Sequence, residues 1–240
     1  MYLPILTYHR LLSQDPAPNV DPKRISVSLD QFRSHLRWFK RLGYRSLRLA
    51  DYVHSLQRDE PVPARSLAIT FDDGYEEVFS LGLPALREFG FSATVFSVPG
   101  EESNRWDDGN ARLMSSAELR GWLEAGMEVG AHTSHHVHLT QVDRESAKRE
   151  LTESKQLLEK STGRPITLMA YPYGESDDAV EALAKEAGYE AAFATDRAPQ
   201  DHTGNLYRLR RPVIFPRNTP WEILMKVQRW YPAYQDWKRR

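Results

Sequence analysis

Short apolar runs in this chain break off abruptly into polar clusters, and that pattern restricts the fold more than any other feature. Ser66-Leu67-Ala68-Ile69-Thr70-Phe71 runs straight into Asp72-Asp73-Gly74. Met127 to Ala131 runs into His132-Thr133-Ser134-His135-His136, and Ile166 to Tyr171 into Pro172-Tyr173-Gly174. Runs this short and apolar suit strands buried on both faces. Amphipathic stretches lie between them, several closed by a glycine such as Gly43, Gly90, Gly126 or Gly188, the residue that ends helices most readily. Strand and helix in alternation predict a mainly parallel α/β sheet. Further strands are expected at Pro4–Tyr8, Ala93–Ser97, Ala191–Ala194 and Arg211–Phe215. Helices are expected over 28–42, 49–58, 83–89, 116–126, 143–162, 177–187 and 220–230, with loops over 11–27 and 99–113.

At 240 residues with 40% hydrophobic content, the chain has the size of one α/β barrel. Such a barrel gathers the C-terminal ends of its strands on one face and builds active sites there. The three polar clusters, far apart in sequence, are therefore expected to meet. The formal net charge of −1 offers no basic excess for a nucleic-acid partner. The absence of cysteine excludes disulfides, cysteine-ligated zinc and thiol nucleophiles. No apolar run is long enough for a transmembrane helix, and Met1 to Leu6 does not read as a signal peptide. A cytoplasmic protein is the default expectation, with association with the cell envelope as the alternative.

Two adjacent carboxylates after an apolar strand are costly to bury unless a cation uses the charge. Taken alone, Asp-Asp-Gly is also ordinary turn chemistry. The histidines change the balance. Of eight in the chain, His132, His135, His136 and His138 fall within residues 132–138. His132 and His136 are four apart, so one helical turn would point them the same way. Two imidazoles and one carboxylate leave metal positions open for water and substrate, as in catalytic rather than structural sites. The second carboxylate could accept a proton from that water, a combination suited to hydrolysing an amide or ester. Spacing alone does not say which aspartate does which.

Thr70-Phe71-Asp72-Asp73-Gly74, His132-Thr133-Ser134-His135-His136 and Tyr171-Pro172-Tyr173-Gly174, in that order, resemble the motifs of the polysaccharide deacetylases, the NodB-homology or carbohydrate esterase family 4 domains. Leu6-Thr7-Tyr8-His9-Arg10, Asn104-Arg105-Trp106-Asp107 and Leu139 resemble a bacterial subgroup tied to exopolysaccharide and envelope glycans. The resemblance implies a deformed (β/α) barrel of about seven strands. It implies one catalytic domain over 1–240, with the motif-bearing core at about 3–216 and a C-terminal helical extension at 217–240. It implies a metal held by Asp73, His132 and His136, zinc first, with cobalt, nickel or manganese suited to the same ligands. It implies Asp72 as general base toward a metal-activated water, and the Tyr173 backbone N–H at the oxyanion. The substrate would be an N-acetylated glycan.

The chain departs from the family pattern in two places. Ala170 stands where many members carry an arginine that orients the base, which leaves Arg208, Arg210 and Arg211 as candidates to replace it. No Leu-x-His occurs near the C-terminus, and His202 falls in a polar loop, so His9 is the candidate general acid. Trp106, Asp107 and Pro172 are expected on the substrate side, with Trp106 stacking on sugar. His135 and His138 are expected off the metal. An O-acetyl esterase and an inactive carbohydrate-binding homologue are the alternatives to an N-deacetylase.

Overall fold

The computed structural model describes residues 2–14, 21, 24–106, 110–195 and 204–238. Seven parallel strands form a nearly closed barrel. They are β1 (Ile5–Tyr8), β2 (Ser66–Phe71), β3 (Thr94–Ser97), β4 (Glu128–Ala131), β5 (Leu168–Ala170), β6 (Ala191–Ala194) and β7 (Leu209–Arg210). Each pairs in parallel with the next in chain order. The seam closes just past β7, where the Thr7 N–H donates to Pro212 O at 3.0 Å and the Ile214 N–H to Thr7 O at 2.8 Å. The predicted last strand at 211–215 is thus displaced. Its ladder is limited to a bridge between Thr7 and Val213, because Pro212 has no N–H to donate.

Side chains alternate along each strand. The outward set packs under the helices. Leu6, Tyr8, Ile69 and Phe71 join Phe32, Leu36 and Phe39 of α1 (Leu29–Arg41) in the larger core. The inward set includes Ile5, Ala68, Phe96, Leu168, Ala170, Ala191, Phe193 and Leu209. Phe96 and Phe193 fill much of the interior, with ring centroids 5.6 Å apart. A Cβ at Gly130 would stand 2.5 Å from the Phe96 ring, so only glycine fits opposite it. At the N-terminal mouth, buried Glu128 accepts from the Leu49 N–H at 2.7 Å and the Thr94 hydroxyl at 2.8 Å. It caps the start of α2 (Leu49–Gln57), and every element of that arrangement serves stability.

Helices at Leu83–Phe89, Ser116–Glu124, Arg144–Thr162 and Asp178–Glu186 follow the sequence pattern. Others differ from it. The expected loop at 11–27 ends in a short strand, Ser26–Ser28, which pairs in parallel with Arg10–Leu12. The expected helix over 220–230 stops at Lys226, and beyond it a second helix covers Tyr231–Lys238. The second restarts just before Pro232, which lacks the N–H that a continuing helix needs. No helix among the described residues is long and apolar enough to cross a membrane.

One buried histidine belongs to this framework. The Tyr8 hydroxyl meets His35 Nδ1 at 3.1 Å beneath α1. Burial pushes the His35 pKa down from 6.5 to about 4. Below pH 6.5 the unfolded chain therefore takes up a proton that the folded chain refuses, and stability falls with pH until about pH 4. The stability advantage of wild type over His35→Gln should shrink across this window, by up to about 1.4 kcal/mol per pH unit. Urea titrations at stepped pH measure it; parallel curves for the two proteins would refute the assignment.

Candidate active site

Alternation also builds the site. Ala68 and Thr70 precede Asp72 on one line, Glu128 and Gly130 precede His132, and Leu209 precedes Arg211. Each polar group lies one inward step beyond a strand end, so the three converge over the C-terminal mouth. Strict alternation would turn Asp73 outward. Its φ of 71° instead lies in the left-handed region, which returns the carboxylate to the same mouth. Gly74 follows at φ 81°, and a Cβ there would meet Ser97 at about 3 Å.

Asp73, His132 and His136 are buried, and their ligand atoms lie within 4.8 Å of one another. Asp73 Oδ1 is 3.4 Å from His132 Nε2 and 3.2 Å from His136 Nε2. The pair does not share the helical turn that its spacing predicts. Residues 132–138 form an irregular loop, in which Thr133 and His136 take φ of 63° and 57°. The Thr133 hydroxyl accepts the His136 N–H at 3.0 Å, and this local bond replaces the helical one.

His132 Nδ1 lies 2.8 Å from the Ala170 carbonyl oxygen. A carbonyl only accepts, so Nδ1 carries the proton and Nε2 presents a lone pair to Asp73. Asp73 Oδ1 is buried and accepts no hydrogen bond in the structure. Asp73 Oδ1 and His132 Nε2 thus converge as acceptors with His136 Nε2 beside them, a set of ligand atoms that fits a divalent cation. Burial pushes the Asp73 carboxyl up, but where the two imidazoles are protonated their hydrogen bonds and charge outweigh it and hold the group well below the usual range.

Asp72 has a different partner. Arg211 Nη1 donates to Oδ1 at 2.7 Å and Nη2 to Oδ2 at 2.9 Å. Nη1 also reaches the Thr70 hydroxyl at 3.0 Å. The guanidinium lies 5.0 Å from the Phe96 ring centroid and 5.9 Å from that of Phe193. Burial raises the Asp72 carboxyl, while the charge of Arg211 and its hydrogen bonds bring it below its ordinary value. Of the three candidate arginines, Arg211 alone reaches Asp72. Arg208 pairs with Glu181 and Asp178, and Arg210 with Asp236 on the last helix.

His9 follows β1 at the same mouth, near enough to act on both aspartates. Its Nδ1 is buried without a hydrogen-bond partner in the structure. Trp106 lies flat on His136, with centroids 4.3 Å apart at 17°, so its ring backs a cluster residue. Asp107 lies outside the described residues. Pro172 is buried at the start of a tight turn in which Tyr173 takes φ 59°. The Tyr173 ring meets His136 edge-on at 4.7 Å. His135 turns away to Glu150, at 2.8 Å. Sequence reasoning did not foresee the stacking of His138 on Tyr173, at 3.5 Å and 3°. Nor did it foresee the Ala170 carbonyl, since a backbone acceptor leaves no trace in residue type.

The family model for polysaccharide deacetylases matches residues 59–192. Poly-beta-1,6-N-acetyl-D-glucosamine N-deacetylase of Staphylococcus epidermidis is 25% identical over 240 aligned residues, 92% of this chain and 81% of that protein. Its namesake in Staphylococcus aureus is 26% identical over 87% of this chain and 77% of that protein. Among solved structures, Streptococcus pyogenes deacetylase PplD in complex with acetate superposes with a TM-score of 0.82 at 24% identity, covering 94% of this chain and 98% of that one. IcaB from Ammonifex degensii gives 0.78 at 21% identity, over 94% and 97%. At these identities the structural matches establish the fold.

The buried Asp72–Arg211 pair has a measurable consequence. Arg211→Met should cost about 3–5 kcal/mol, because it strands a buried carboxylate. Arg211→Met with Asp72→Asn should recover much of that. Denaturant titration of the cycle reads the coupling, and a single-variant loss under about 1 kcal/mol would contradict the buried pairing.

Proposed function

The chain belongs to the polysaccharide deacetylase family, and we propose that it removes N-acetyl groups from a polymer of β-linked N-acetylglucosamine in a metal-dependent reaction. The observation that carries this reading is the division of labour between the two aspartates. Asp72 is bound through both oxygens by Arg211, whereas Asp73 Oδ1 faces His132 and His136. One carboxylate is thereby held for proton transfer and the other for a cation. The amide is favoured over the ester because the staphylococcal relatives are named N-deacetylases.

In this reading Asp73, His132 and His136 hold the metal, zinc before cobalt, nickel or manganese. The ion supplies Lewis acidity toward the acetyl carbonyl and acidifies water. Asp72 accepts the proton of the attacking water, and Arg211 keeps its carboxylate ionised and oriented. Arg211 thus fills the role of the arginine that Ala170 replaces. The Tyr173 backbone N–H, on a left-handed residue beside His136, donates to the developing oxyanion. His9 protonates the departing amine, since its ring sits at the mouth with a buried nitrogen not otherwise bonded.

Purified wild type should bind about one divalent ion per chain and release acetate from oligomeric N-acetylglucosamine, with His132→Ala losing both. Asp72→Asn should keep the metal and lose kcat by about a hundredfold or more, the scale of general-base catalysis. Metal analysis beside acetate assays separates the two roles, and a metal-replete wild type that releases no acetate would refute the reading. His9→Gln should lower kcat with KM little changed; an unaltered kcat would remove His9 from the reaction.

A further inference from the structure

The barrel mouth accounts for the proposed chemistry and leaves one flank of the molecule without a role. Among the described residues, eight large apolar side chains stand open to water, and six of them lie along three helices. Trp38 and Leu42 are at the end of α1, Trp221 is on Pro220–Lys226, Trp230 is in the link that follows, and Tyr234 and Trp237 are on Tyr231–Lys238. Four of the chain's six tryptophans are in this set, with Trp221 and Trp237 at 70% and 72% exposure. The three helices are neighbours. α1 packs on Pro220–Lys226, and that helix on Tyr231–Lys238. Gln31 Nε2 donates to Pro216 O at 2.7 Å, and Gln228 Nε2 to the Tyr44 hydroxyl at 3.4 Å. Exposed apolar residues are ordinary when scattered singly; gathered on adjoining helices they mark an interaction surface.

Charge is segregated in the same way. Residues 29–45 carry five Lys and Arg against one Asp, and residues 217–240 carry six against one Asp and one Glu. These two segments hold a formal +8, and the rest of the chain −9. Arg37, Lys40 and Arg41 are exposed, and the Arg41 guanidinium lies 5.9 Å from the Trp38 ring centroid. On the last helix Asp236 pairs with buried Arg210 at 3.1 Å, which fixes that face to the barrel. Trp230, Tyr234 and Trp237, spaced four and three apart, share another face. The Tyr234 ring centroid is 6.1 Å from that of Trp230 and 6.2 Å from that of Trp237.

We infer that this flank docks on a lipid bilayer with anionic headgroups. Tryptophan and tyrosine rings favour the headgroup level, with the apolar body inward and the polar edge toward water. Lysine and arginine beside them are drawn to the negative surface. A bilayer meets one side of a protein, so the acidic remainder of the chain stays clear of it. The Trp38–Leu42 end lies opposite the catalytic mouth, because Arg65, just before β2, donates to Leu42 O at 3.0 Å. Docking at that end leaves the mouth open to a glycan.

The test is co-sedimentation with phosphatidylcholine vesicles made with and without phosphatidylglycerol. Wild type should partition onto the anionic vesicles about tenfold or more better than onto the neutral ones, and added salt should weaken this binding. Two combined variants probe the flank: Arg37→Glu with Lys40→Glu and Arg41→Glu, and Trp221→Ala with Trp230→Ala and Trp237→Ala. Each should lower partitioning by about tenfold or more with the thermal midpoint near that of wild type. Should the tryptophan variant fail to fold, the charge variant decides. Arg144→Glu with Lys148→Glu and Arg149→Glu makes the same change in net charge on Arg144–Thr162, which packs between Ser116–Glu124 and Asp178–Glu186; this variant should bind as wild type does. Wild type that ignored the anionic vesicles or bound both kinds equally would overturn the inference. So would a folded flank variant that bound like wild type, or a loss as large in the Arg144–Thr162 variant. None of these outcomes bears on the deacetylase reading, which acetate release tests separately.

Discussion

Arg211 ties the closure of the barrel to the state of Asp72. It stands one residue beyond β7, where the chain returns to β1 through the hydrogen bonds at Thr7. Its guanidinium is fully buried and bonds both Asp72 oxygens. The Phe96 and Phe193 rings lie beside it. A buried charge this far from water needs its counter-charge in good geometry, so the seam and the Asp72 carboxylate form together. The same interior that stabilises the barrel keeps Asp72 ionised.

Around that pair the backbone is held where side chains other than glycine seldom go. Asp73, Thr133, His136 and Tyr173 all have φ between 57° and 71°. Residues in this region each cost on the order of 1 kcal/mol or more and persist only where their surroundings dictate it. Here they do specific things. Asp73 is turned back toward the mouth, Thr133 bonds the His136 N–H, and Tyr173 makes the turn beside His136. The Trp106 ring stacked on His136 and the Tyr173 ring packed edge-on against it then restrict its motion. At the opposite mouth Glu128 meets backbone donors and the Thr94 hydroxyl and serves the fold.

Much of this was legible in the residues. Strand β2 coincides with its apolar run, and the other strands of the three clusters fall within theirs, because burial on both faces selects predominantly apolar sequence. Glycine stops and the apolar faces of the helices set the order of elements. What local pattern misjudged depended on distant partners. The strand expected at 211–215 became a seam held by single bonds, since its neighbour Thr7 lies two hundred residues earlier and Pro212 donates nothing. The short pair of Arg10–Leu12 with Ser26–Ser28 has too few residues to show a period.

The sequence by itself determined which chemistry was available: two adjacent carboxylates and a histidine cluster, each placed directly after a strand and so bound for one face of a parallel barrel. Only the tertiary structure decided how the roles divide. Asp72 and Asp73 are equivalent on paper, and they part because Arg211 reaches one across the closed seam while a left-handed turn carries the other to His132 and His136. Three arginines were equally placed by sequence number, and Arg211 was selected because it falls on the inward step of its strand. Local sequence encodes burial and periodicity; pairing between charges brought together by closure of the barrel is a property of the folded interior.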